Sequence, residues 1–94
     1  MERQAIQIHR SDNVATAIFP LTKGDVIAVS GQDGSKVEII LKTNVPLYHK
    51  LSLRPIETGQ AILKYGHPIG LAKRDILPGV HVHVSNMENL DRRK

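Results

Sequence analysis

The sequence holds no cysteine and no tryptophan, and only three aromatic residues, Phe19, Tyr48 and Tyr65. Without cysteine there are no disulfides and no thiolate ligands, so any metal site must draw on His, Asp, Glu, Asn or backbone oxygen. So few rings exclude a broad stacking surface for bases, and no recognition helix is apparent, so nucleic acid is not an expected partner. No apolar run approaches about 18 residues and the start, MERQAIQIHR, lacks an apolar signal segment. The expected setting is therefore the cytoplasm, with no membrane contact. Phosphate-loop, nucleophile-elbow and H-E-x-x-H patterns are also missing. A complete active site is hard to assemble from what remains.

What is present reads as one domain over residues 1–94, 40% apolar and 23% charged. A chain of this size buries roughly 60 to 65% of the surface its unfolded form exposes, so its core is small and built from Val, Ile, Leu and Ala. The net charge of +4 is concentrated in the middle. Residues 40–74 hold six basic groups (Lys42, Lys50, Arg54, Lys64, Lys73, Arg74) against the single acid Glu57. Such a field gathers small anions or matches an acidic protein surface.

Short alternating or β-branched stretches at 5–9, 26–29, 36–41, 49–53, 61–65, 69–72 and 80–84 predict strands, with Asp33-Gly34 as a hairpin turn and Gly66-His67-Pro68 as another. One short helix is expected near the N-terminus. Ser11 and Asp12 suit a cap, Val14, Ala17, Ile18 and Leu21 follow helical spacing, and Pro20 stops it. Leu21-Thr22-Lys23-Gly24, Ile56-Glu57-Thr58-Gly59 and Ile76-Leu77-Pro78-Gly79 repeat one device, an aliphatic residue three places before a glycine that launches a strand. The unequal spacing of these glycines argues against a solenoid. The tail from Asn86 to Lys94 reads as frayed or as a docking arm. The fold class is thus mainly β, of the small barrel or clip type.

Chemistry concentrates between Ile56 and Asn86, which contains three of the five histidines. His81 and His83 are two apart on an expected strand and so share a face, half of a metal site that Asn86 or His49 completes. The competing reading is that Val80, Val82 and Val84 mark simple core alternation. The pair His49-Lys50 and the run Lys64-Tyr65-Gly66-His67 are the candidates for binding substrate, with Lys50 and Lys64 suited to a carboxylate and Tyr65 or a histidine to moving a proton. Against this, lysines at strand edges are commonly solvated guards, and Tyr65 reads first as a core aromatic with its hydroxyl tied to backbone.

Four segments together, HRSDNVATAI at 9–18, HKLSL at 49–53, IETGQAILKYGHPIG at 56–70 and ILPGVHVHVSN at 76–86, resemble the amino-terminal SAF domain of altronate and galactarate dehydratases. That domain also occurs as the separate small subunit of split dehydratases and of sulfolactate sulfo-lyase. The resemblance implies a β-clip fold and a share in a lyase that removes water, or sulfite, from a hydroxy acid. It further implies an anionic sugar-acid substrate, a divalent metal, iron or manganese, in the full enzyme, and a larger catalytic partner without which this chain is inactive. No metal is assured for this chain itself, and a homo-oligomer stays open. The family's G-x-H-V-H falls on Gly79, His81, Val82 and His83, its H-K on His49 and Lys50, and its K-Y-G on Lys64, Tyr65 and Gly66. Many relatives carry a further histidine before the asparagine, where this chain has Ser85 before Asn86.

A second class remains, a non-catalytic ligand-binding module, because SAF-like domains also resemble antifreeze proteins and the carbohydrate-binding extensions of sialic acid synthases. An ice-binding face needs repeated small residues and threonines. Thr16, Thr22, Thr43 and Thr58 share no repeat.

Overall fold

The structure, a computed structural model, describes residues 3–90. Nine short strands run in chain order: β1 (Ala5–Gln7), β2 (Val14–Ala17), β3 (Val26–Gly31), β4 (Lys36–Ile40), β5 (Lys50–Ser52), β6 (Ala61–Lys64), β7 (His67–Ala72), β8 (His81–Val82) and β9 (Met87–Asn89). They form a six-stranded sheet in the order β4-β3-β1-β2-β5-β8 and a three-stranded sheet in the order β6-β7-β9. Pairing is antiparallel except between β1 and β3. The larger sheet curls until its ends meet. Past β4, the Lys42 N–H donates to the Gly79 carbonyl at 2.9 Å, and the His81 N–H donates to Thr43 Oγ1 at 2.9 Å.

Strands β2, β5 and β8 are the wall between two cores. Ala15, Ala17 and Leu51 face one core with Ala5, Leu21, Ile27, Val29, Leu41 and Val45. Val14 and Val82 face the other with Ile56, Ile62, Ala72, Ile76 and Met87. Fully burying a side chain such as Leu51 contributes about 1.5–3 kcal/mol, so the wall gains from both sides.

This explains why the expected N-terminal helix is absent. No α-helix occurs among the described residues, and Val14–Ala17 is strand β2 instead. A central strand buried on both faces carries a continuous apolar run and loses the period of two, so its spacing imitates a helix. Asp12 does not cap either. Its buried carboxylate accepts from the N–H groups of His9, Tyr65 and Gly66 at 3.0, 3.1 and 2.8 Å, pinning the β6–β7 hairpin to the start of β2. Asn13 continues the clamp, its Oδ1 accepting from Leu63 N–H and its Nδ2 donating to the Ala61 carbonyl.

The repeated turn device closes each core. Leu21 bridges Val45 in one and Ile56 bridges Ile76 in the other. Gly24, Gly59 and Gly79 have φ of 93°, 86° and 84°, the left-handed values that the third position of such a turn demands. A fourth copy is present at Val45-Pro46-Leu47-Tyr48, in which Tyr48 takes φ of 68° where the others have glycine. The His49 N–H closes that turn onto the Pro46 carbonyl at 3.0 Å, as Asp25 does onto Thr22 and Gln60 onto Glu57.

Two further boundaries differ from expectation. Tyr65-Gly66, both at positive φ, form the two-residue hairpin turn, and His67 and Pro68 already belong to β7. Within the tail, Met87–Asn89 pairs with β7 as β9, while residues 91–94 lie outside the described residues. No helix among the described residues is long and apolar enough to cross a membrane.

Candidate functional site

Strands β5 and β8 pair so that Leu51 stands opposite His81 and Lys50 opposite Val82. Side chains alternate along each strand, so Leu51 turns into its core, and His49, one step beyond the end of β5, falls on the same side as His81 and His83. The result is a cluster of three imidazoles at the rim of that core. Ring centroids are 5.0 Å apart for His49 and His81, 5.1 Å for His49 and His83, and 5.2 Å for His81 and His83. His49 Nδ1 and His81 Nε2 share one hydrogen bond of 2.9 Å, one nitrogen protonated and the other accepting. One ring nitrogen from each of the three falls within 4.8 Å of the others. His49 and His81 are half-buried and His83 is exposed, which leaves the cluster open on one side.

Two interactions fix the backbone that carries these rings. Asn86, buried, turns its whole amide onto β8: Oδ1 accepts from the His83 N–H and Nδ2 donates to the His81 carbonyl, each at 2.8 Å. Its side chain is therefore spent behind the cluster. Ser52, buried on the opposite face of β5, donates through Oγ to the Leu77 carbonyl and accepts from the Val80 N–H, tying β5 to the turn that leads into β8.

The groups whose charges act on His81 are all bases. Burial is the main cause that holds His81 below the ordinary histidine pKa, and the neighbouring charges of His49, His83 and Lys50 push it the same way. A neutral His81 at pH 7 has a lone pair to offer. Lys50, half-buried, is likewise held below the usual lysine range, first by burial and then by the charge of Lys64. Lys64 in turn places its ammonium 5.1 Å from the Tyr65 ring centroid. Tyr65 is 57% exposed, so it does not serve the core.

Of the residues singled out in the sequence, the structure thus brings together His49, His81 and His83, while Lys50, opposite Val82, turns to the other face of β5; it stays near enough to His81 and Lys64 for their charges to act on one another. Sequence reasoning missed Thr43, which receives the His81 N–H, and Asp12, which holds the Tyr65-Gly66 turn in place. A signal for Asp12 existed in the Ser11-Asp12 pair, read there as a helix cap.

Three imidazoles fit a divalent metal by donor chemistry. Metal–nitrogen bonds of about 2.1 Å place tetrahedral ligands roughly 3.4 Å apart, so the His49–His81 spacing is already close and His83 needs only a small swing. Zinc, iron and other imidazole-binding divalent ions share this preference.

Residues 3–90 match the family model for the altronate/galactarate dehydratase SAF domain. The altronate dehydratase of Escherichia coli (strain K12) is 40% identical over 93 residues, 95% of this chain and 18% of that protein. The altronate dehydratase of Bacillus subtilis (strain 168) is 40% identical over 81 residues, 86% of this chain and 15% of that protein. The (2R)-sulfolactate sulfo-lyase subunit alpha of Paracoccus pantotrophus is 31% identical over 61 residues, 65% of this chain but 91% of that protein. The chain therefore spans less than a fifth of each of those two dehydratases, and it belongs to the family of altronate/galactarate dehydratase SAF domains.

Proposed function

We propose that this chain is the small component of a cytoplasmic hydro-lyase acting on a sugar acid of the altronate or galactarate type. The observation that carries the proposal is the convergence of His49, His81 and His83 from two strands on one open point. In this reading the three imidazoles hold a divalent metal, iron or manganese, which when bound supplies a Lewis acid for the substrate's oxygens. Asn86 positions rather than ligates, because its amide is committed to the backbone of His81 and His83.

Dehydration of a hydroxy acid breaks a C–H bond next to the carboxylate and a C–O bond on the adjacent carbon, and negative charge gathers on the carboxylate side as the proton leaves. Lys50 and Lys64 are the fixed cations for that charge, mounted on strands that cost little reorganisation. Tyr65, at the tip of the β6–β7 hairpin, reaches a substrate hydroxyl. The group that removes the proton and the remaining walls belong to a larger catalytic polypeptide, in line with the small share of the two altronate dehydratases that this chain spans.

A second reading has support of its own, since 91% of the sulfolactate sulfo-lyase subunit alpha aligns here. In it the same site serves an elimination that expels sulfite instead of water. Assays of the chain with its catalytic partner on altronate, galactarate and sulfolactate separate the two. Loss of turnover in His81→Ala and His83→Ala is expected, and unchanged turnover removes these residues from the mechanism. Tight binding of a sugar acid by this chain alone would favour a stand-alone binding module.

A further inference from the structure

Both cores are aliphatic apart from Met87, and all three aromatic side chains of this protein lie outside them. Phe19 is 48% exposed, Leu47 40% and Tyr48 71%. The chain's hydrogen bonds bring these residues together. The Tyr48 N–H donates to the Ala17 carbonyl and the Ala17 N–H to the His49 carbonyl, each at 2.9 Å, while Leu21 bridges Val45. Residues 17–21 and 45–49 therefore run antiparallel, and Phe19 and Leu47 lie on facing stretches between those two points. Phe19, Leu47 and Tyr48 are thus three exposed apolar residues on two neighbouring stretches, the second of which runs into His49, a member of the imidazole cluster.

Tyr48 gives that exposure a meaning. Its three sister turns place glycine at the left-handed position, where any Cβ is strained, yet here a tyrosine is kept. It packs into neither core of its own domain. Strain held at an exposed aromatic beside a site points to a contact outside the chain. More than four fifths of each of the two altronate dehydratases has no counterpart here, and those missing residues are the natural occupant. The charge agrees in sign, because residues 40–74, the stretch that includes Leu47 and Tyr48, carry six basic groups and one acid, which an acidic partner surface complements.

We propose that Phe19, Leu47 and Tyr48 form the surface on which the larger catalytic polypeptide docks, with Tyr48 as its anchor, so that docking brings the partner against His49. This rests on the functional reading above, in that it presumes such a partner. The partner face is an apolar hollow with an acidic border.

The test measures association of the full chain with the dehydratase-type polypeptide of its own organism by calorimetric titration at two salt concentrations. Tyr48→Gly keeps the turn's backbone and relieves its strain, so the variant is expected to melt no lower than the wild type while binding the partner at least tenfold more weakly. Phe19→Ser is expected to weaken binding in the same direction. Val37→Ser, at an apolar side chain 52% exposed on β4, is the control and should bind as the wild type does. Wild-type binding that survives both Tyr48→Gly and Phe19→Ser, or falls equally with Val37→Ser, overturns the assigned surface and leaves the two-component enzyme standing. No binding by the wild type overturns both. Self-association that Tyr48→Gly abolishes overturns the proposal in favour of a second copy of this chain.

Discussion

His49 Nδ1 stands 2.9 Å from His81 Nε2 although 32 residues separate them in the chain. That distance depends on β8 holding its place, and Asn86 is what holds it. Asn86→Ala removes two 2.8 Å hydrogen bonds to the backbone of His81 and His83. The expected result is a loss of about 1–3 kcal/mol in stability. Metal affinity, measured by competition with a chelator, is expected to fall about 10- to 100-fold, as for other groups that orient ligands. Asn86→Asp keeps the acceptor for His83 and loses the donor to His81, so its effects should lie between those of wild type and Asn86→Ala.

Asp12→Ala takes the acceptor from three part-buried N–H groups, those of His9, Tyr65 and Gly66. We expect a loss of about 3–5 kcal/mol in urea denaturation, because the carboxylate is fully buried and each of its partners would lose its acceptor. A loss under about 1 kcal/mol would show that the hairpin finds other partners.

Gly24→Ala and Gly79→Ala separate strain from crowding. Both glycines sit at left-handed φ, which costs about 1–2 kcal/mol for any other ordinary residue. A Cβ on Gly24 meets nothing within 4 Å, whereas one on Gly79 overlaps the Ile40 carbonyl where the large sheet closes. Gly79→Ala is therefore expected to be the worse by at least about 1 kcal/mol in thermal or chemical denaturation, as backbone overpacking is.

The Thr58 N–H and hydroxyl donate to Asp75 at 2.9 and 2.8 Å, and these bonds, the backbone one first, hold the Asp75 carboxyl below the usual range. A carboxyl lowered on folding adds stability above its unfolded pKa of about 3.9, and that stability is lost as pH falls through the lower folded value. Asp75→Asn should thus lower the melting temperature at pH 7, and the gap to wild type should close as the pH drops below about 3.9. A gap independent of pH would assign the effect to packing.

The fold class was legible because short β-branched stretches and glycine turns leave little else to build. The helix misreading at 11–21 arose because β2 is buried on both faces, which erases alternation from the sequence. The fourth turn escaped notice because Tyr48 occupies a position where glycine is the usual mark. For the site, the two-residue spacing of His81 and His83 was readable. The arrival of His49 from β5 was one alternative among two, and the register that settles its place belongs to strand pairing. Asn86 showed the reverse, a polar residue at the right place in the chain whose amide faces the backbone.

The most direct test is titration of the full chain with manganese(II), followed through the side-chain NMR signals of its five histidines. The account predicts that the signals of His49, His81 and His83 broaden first and together as metal is added, ahead of those of His9 and His67. Uniform broadening of all five, or an unmoved triad at millimolar metal, would contradict it.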